Sequence, residues 1–149
     1  MNVLVTLTSG FADSDQIPVS GVLEVSGNMM SVIWTQPPSG EETCESLHQL
    51  SFDRESGVLH MTRSGENTTD LYFSEQVQTE GILTTPFGEF SMTIETKQLI
   101  VSEKLWMPLQ MPQNENTEDV KIQYFLHVLG QEPMQNNIII QIGLEKKRK

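Results

Sequence analysis

The residues able to do chemistry are few and scattered. His48 and His60 fall on two strand-like stretches joined by Asp53-Arg54-Glu55-Ser56-Gly57. A register that places them opposite each other brings the imidazoles within reach of one metal ion, and a slip of one residue sends them to opposite faces. With no third ligand placed beside them, no metal site is assigned. Cys44 sits in Glu42-Thr43-Cys44-Glu45, and neighbouring carboxylates raise a thiol pKa, the reverse of what a nucleophile needs. It is read as structural or incidental. His127 alternates with Phe125 and Leu129 on the face opposite Tyr124, which makes it a surface or interface histidine.

Arg63 is a better candidate. It shares a face with Leu59 and Met61, and an arginine ending an apolar strand face can anchor a ligand carboxylate at a barrel mouth. The competing reading is a plug over the barrel end that stacks on an aromatic ring such as Trp34. Thr96 and Tyr124 are the other polar groups that alternation sets among apolar neighbours, although buried hydroxyls usually serve structural hydrogen bonds. Trp34, Arg63, Thr96 and Tyr124 are the ligand-binding candidates. No catalytic residue and no cofactor is assigned, because G-x-S-x-G, H-E-x-x-H, a glycine-rich phosphate loop and paired C-x-x-C motifs are all missing.

These residues need elements to hold them, and nearly every ordered-looking stretch has the signature of a strand. β-Branched and aromatic residues alternate with polar ones between Gly, Pro, Asn and Ser. Strands are expected at residues 3–8, 22–26, 30–36, 47–52, 58–63, 70–74, 77–84, 89–102, 120–129 and 137–144. No window has a persuasive helical pattern; residues 41–49 are the nearest, as one turn or an extended arm. Val120, Ile122, Tyr124, Leu126 and Val128 share a face, as do Ile138, Ile140, Ile142 and Leu144, and Phe90, Met92 and Ile94. One apolar face per strand and short hairpin turns describe an all-β, antiparallel up-and-down barrel or a sandwich. A closed barrel has the merit of removing exposed edges.

Residues 104–119 break the rhythm, with Trp106, Met107, Leu109, Met111 and two prolines. Either this segment folds its apolar residues back onto the barrel end, or it is a lid or a partner-docking loop. Phe125 and Leu129 lie on the outer face of their strand, with Ile139 on the equivalent face of the last one. An exposed apolar patch of this kind marks an interaction surface, and a homodimer is the commonest way to cover it. Trp106, Met107, Phe125 and Leu129 are therefore the interface and loop candidates.

Composition narrows the field. The 149 residues carry 20 Asp plus Glu against 9 Lys plus Arg, for a net charge of −11, which repels nucleic acid. One cysteine forbids an internal disulfide and suits a reducing compartment. No run approaches the ~18 apolar residues of a membrane helix, and residues 1–10 lack the basic start and cleavage site of a signal peptide. A cytoplasmic protein is expected, with one domain over residues 1–145 and a basic tail, Lys146-Lys147-Arg148-Lys149.

Three stretches, Arg63-Ser64-Gly65, then Thr84-Thr85-Pro86-Phe87-Gly88-Glu89-Phe90-Ser91-Met92-Thr93-Ile94-Glu95-Thr96, then Ile122-Gln123-Tyr124-Phe125-Leu126, occur in an order and spacing that resembles the YwiB-like family. This is a family of small bacterial proteins built on a domain of unknown function. The resemblance spans residues 47–144, with a looser match upstream, and departs from the family pattern at residues 104–119. It implies a calycin-like (lipocalin-like) antiparallel barrel of about eight strands in a cytoplasmic protein. It implies no reaction, ligand or catalytic residue.

Three classes of function remain. The first is a non-catalytic binding module that holds a small apolar or amphipathic ligand inside the barrel. The second is a structural or interaction barrel with a filled interior, acting as a homodimer or through the Trp106 loop. An enzyme built on Arg63 with Tyr124 or Glu95 ranks third, since no motif announces it.

Overall fold

The computed structural model describes residues 1–9, 18–38, 44–107 and 117–144. Leu109, Met111 and the basic tail of residues 146–149 lie outside the described residues. Ten strands form among those described: β1 (Asn2–Ser9), β2 (Val19–Ser26), β3 (Met29–Gln36), β4 (Ser46–Asp53), β5 (Val58–Ser64), β6 (Thr68–Phe73), β7 (Thr79–Thr85), β8 (Gly88–Val101), β9 (Glu118–His127) and β10 (Met134–Leu144). A 3₁₀ turn, Glu103–Trp106, lies between β8 and β9. Each strand pairs antiparallel with its neighbours in sequence, and β1 closes the sheet by pairing with β10, from Val3 opposite Leu144 to Ser9 opposite Ile138. The fold is a closed up-and-down barrel. The expected count of about eight strands is corrected to ten, because each of the ten alternating segments in the sequence makes its own ladder. Barrel diameter grows with strand number, so this interior is wider than that of an eight-stranded barrel.

Alternation decides what fills it. Val32, Leu50 and Met61 stand side by side on β3, β4 and β5 and point inward. Ile122 and Ile138, then Val120 and Ile140, do the same on β9 and β10. These side chains join Val3, Val5, Leu23, Leu59, Phe73 and Ile94 in one continuous core. Full burial of each large aliphatic or aromatic side chain stabilises by about 1.5–3 kcal/mol. The β4–β5 hairpin closes where expected, with Gly57 at φ 74° and its N–H donated to the Asp53 carbonyl at 2.8 Å.

The two ends of the barrel differ. The upper end carries the β3–β4, β5–β6, β7–β8 and β9–β10 connections; the lower carries β2–β3, β4–β5, β6–β7 and the 3₁₀ turn. At the lower end Leu105 is fully buried and Trp106 is only 8% exposed. The Trp106 indole N–H donates to the Asn28 carbonyl at 3.2 Å, and its ring meets Phe52 edge-on at 5.7 Å. The Arg54 guanidinium lies 5.2 Å over the same ring, and its Nε donates to Asn28 Oδ1 at 3.1 Å. Of the two readings for residues 104–119, the described part shows apolar side chains folded back as a plug.

β8 is irregular. A bulge between Thr96 and Gln98 resets its alternation, so Leu99 and Val101 return inward while Ile100 faces out. β7 pairs with β8 only as far as Ile94. The lower half of β8 therefore keeps a ladder on its β9 side alone among the described residues.

Candidate functional site

Three neighbouring strands bring together the most unusual set of inward side chains. Trp34 on β3 stands opposite His48 on β4, which stands opposite Arg63 on β5. All three lie near the upper end, at the end of β3, the start of β4 and the end of β5. Trp34 and His48 are buried, and Arg63 is half-buried. The indole and imidazole stack at 5.2 Å between centroids with 12° between planes, and His48 Nε2 lies 2.9 Å from Ser46 Oγ. Gly21 makes room for this stack. It faces Trp34 from β2, and a Cβ there would come 2.9 Å from the Ile33 carbonyl oxygen and 3.2 Å from Trp34 Cβ.

The stack leaves one donor unanswered. Trp34 Nε1–H is buried and has no hydrogen-bond acceptor among the described residues. Such a group costs about 1–3 kcal/mol in desolvation, and buried polar groups without partners are rare enough in native proteins to need a reason.

The other two ligand candidates share the opposite wall. Thr96 on β8 and Tyr124 on β9 are register partners, and both are buried. Tyr124 Oη accepts a 2.7 Å hydrogen bond from Asn136 Nδ2 on β10, and its ring meets Phe73 edge-on at 5.0 Å. Burial pushes the Tyr124 phenol above its ordinary pKa, and the Asn136 hydrogen bond pulls back against that rise. Thr96 Oγ1 accepts the Ser74 N–H at 3.2 Å and so fastens the β6–β7 turn to β8. The four candidates thus form two pairs on facing walls.

Reading the sequence for chemistry missed His48 as a partner of Trp34 and Arg63, because His48 was weighed only against His60. The structure puts those two histidines on opposite faces: His48 pairs with Arg63 inside, and His60 pairs with Ser51 outside. His60 stacks on Tyr72 at 4.1 Å and sits 2.5 Å from Asp70 Oδ1. The inward series Ser46, His48, Leu50 on β4 was the signal that would have found the stack. No group of three His, Cys, Asp or Glu side chains suited to a metal ion occurs among the described residues.

The interface candidates are dispersed. Trp106 serves the lower plug, and Met107 beside it is exposed. Phe125 is half-buried under the Lys97 ammonium, 5.5 Å from its ring centroid. Leu129 is 100% exposed in the β9–β10 turn. Ile139 pairs with Lys121, four positions along β10 from Gln135, the partner of Phe125. Phe125, Leu129 and Ile139 therefore do not adjoin as one patch. The more apolar edge is the upper rim, where Phe87 is 94% exposed and Phe90 and Met134 are also exposed. His127 faces outward, 3.3 Å from Glu95 Oε2, while Lys97 Nζ holds Glu95 Oε1 at 2.6 Å. Lys97 first, then His127, hold the Glu95 carboxyl below its ordinary pKa.

A family model described as a domain of unknown function, DUF1934, matches residues 36–140. The chain belongs to the DUF1934 family. The matched span takes in β4 to β9 and most of β10, and with them His48, Arg63, Thr96, Tyr124 and the Trp106 plug. Among solved structures, the chain is similar to the ywiB protein from Bacillus subtilis, with a TM-score of 0.62 at 17% identity over 97% of this chain and 89% of that one. At that identity the likeness concerns the fold, and it agrees with the family resemblance read from the sequence. No curated protein matches the chain. No helix among the described residues is long and apolar enough to cross a membrane.

Proposed function

We propose that this DUF1934 protein is a non-catalytic binding module whose barrel takes a small amphipathic molecule through its upper end. The observation that carries this reading is the buried Trp34 N–H with no acceptor among the described residues, beside His48 and two strands from Arg63. An acceptor oxygen on a ligand answers the indole, and a carboxylate suits the Arg63 guanidinium. The apolar part of the ligand meets the upper rim at Phe90 and Met134. The Trp106 plug leaves the upper end as the natural entrance. A cytoplasmic location accompanies this reading, since the only cysteine, Cys44, is exposed and free.

A second reading has its own support. The apolar side chains on the inner face pack one continuous core from Val3 to Ile142, so the interior can be complete without a ligand. The protein would then act through its surface, as a homodimer joined at the exposed upper rim.

Native mass spectrometry of protein purified without denaturation, before and after unfolding, separates the two. The binding reading expects a mass that is lost on unfolding. It also expects decanoate to rebind to stripped protein, and at least about tenfold less tightly to Arg63→Gln, since a charge-assisted hydrogen bond is worth about 1.5–3 kcal/mol. A bare dimer that ignores decanoate supports the second reading. A bare monomer that ignores it refutes both.

A further inference from the structure

β8 is 14 residues long and β7 only 7. Beyond Ile94 the chain opposite β8 has already turned away through residues 74–78. Between that turn and the bulge of β8 opens a cleft of about 400 Å³, lined by Glu75, Gln78, Glu95, Thr96 and Lys97 among others. Ser74 and Thr96, both buried, tie its floor together through the Ser74 N–H. The wall is an unusual one, because β8 has no ladder partner on that side among the described residues. Two residues past the cleft lining, Leu99 N–H turns to the side that β7 has left and donates to Glu75 Oε1 at 3.0 Å. A side-chain carboxylate thus stands where the carbonyl of one more strand would stand.

A strand edge whose amide is met by a movable side chain instead of a neighbouring strand is a template for another extended chain. Charge selects which chain. Lys97 is engaged with Glu95, whereas among the described residues the Glu75 carboxylate meets a neutral amide. The protein as a whole carries −11, so basic partners are drawn to it. We propose that the lower edge of β8 is a docking site for an extended peptide segment bearing a lysine or arginine. The peptide backbone carbonyl takes over Leu99 N–H, and its next backbone groups continue the ladder to Val101. Its basic side chain binds the Glu75 carboxylate that has been released. This site runs from the bulge to Val101, apart from Trp34, His48 and Arg63, and does not rest on the amphipathic-ligand reading.

The test is a titration of the ¹⁵N-labelled full chain with a blocked nonapeptide that alternates threonine and valine around one central arginine. The expected result is saturable shifts at the Leu99 and Val101 amides, and at least tenfold weaker binding when the central residue is glutamate. Backbone N-methylation on the pairing side of the peptide is expected to abolish binding. In Glu75→Gln, which keeps an acceptor for Leu99 N–H, the arginine and glutamate peptides are expected to bind within twofold of each other. Equal binding of the N-methylated peptide overturns the proposal. So do an unchanged arginine preference in Glu75→Gln and the absence of shifts at Leu99 and Val101 at millimolar peptide.

Discussion

Replacing Trp106 by alanine tests whether the segment after β8 is part of the barrel or a surface for something else. The side chain is 8% exposed and packs on Phe52 and under Arg54, with its N–H on the Asn28 carbonyl. Truncating a buried aromatic to alanine costs about 3–5 kcal/mol. The solvent-facing edge of this indole places the loss in the lower part of that range, about 3–4 kcal/mol. The hydrogen bond to Asn28 accounts for about 0.5–1.5 kcal/mol of it, so Trp106→Phe is expected to lose about 1–2 kcal/mol and keep the rest. Equilibrium urea unfolding reads both values. The chain has two tryptophans, so in either variant Trp34 alone reports by fluorescence. In a thermal melt, at about 2–4 °C per kcal/mol for a domain of this size, the alanine variant falls by about 6–16 °C. A loss below about 1 kcal/mol, the level of an ordinary surface change, would refute the plug. It would return Trp106 to the role of a partner-docking residue.

Three further outcomes follow from the same geometry. Gly21→Ala drives a methyl against the Ile33 carbonyl and the base of Trp34; about 1–3 kcal/mol of overpacking loss is expected, with a changed near-ultraviolet circular dichroism of the Trp34–His48 stack. Trp34→Phe removes the unanswered N–H while keeping an aromatic ring on His48, so the ligand-free protein is expected to stay within about 1 kcal/mol of wild type by urea unfolding, with ligand retention reduced in native mass spectra. Tyr124 has its pKa raised in the folded state, chiefly by burial, so its contribution is whole below the unfolded value near 10 and is lost as pH climbs from there toward the folded value. Urea midpoints from pH 8 to 11 are expected to fall more steeply in wild type than in Tyr124→Phe, and parallel curves would remove burial of the phenol as the cause.

Much of the barrel was legible because its signal is local. Val120, Ile122 and Tyr124, or Ile138, Ile140 and Ile142, announce an inner face by alternation alone, and every expected strand overlaps an observed one. What alternation cannot report is a change of phase inside a strand. Reading β8 in strict period two would carry Ile94 and Thr96 on to Gln98 and Ile100, whereas the bulge places Leu99 and Val101 inside. Register between strands was similarly hidden. Whether His48 met His60 or Arg63 rested on the β4–β5 turn, and that pairing turned a weak metal site into the Trp34–His48–Arg63 row. The unanswered indole was beyond sequence altogether, since it depends on which of the described residues come near Trp34 in three dimensions.

The barrel is nine hairpins and one seam. Nine ladders join strands adjacent in the chain, and the tenth joins β1 to β10, pairing Val3 with Leu144. The chain-adjacent ladders close loops no longer than residues 102–117 between β8 and β9, whereas the seam must bring together residues separated by almost the whole chain. It is therefore expected to be the last ladder to form. β1 depends on it, with seven register pairs to β10 against four to β2. Opening the seam frees two edges at once, one of them the isoleucine-rich β10, and an exposed apolar edge is where strands of different molecules join. Amide exchange slower in β1 than in β4 and β5 would contradict this order of events. The ladder that removes every edge from the sheet is thus also the one whose loss would restore two of them.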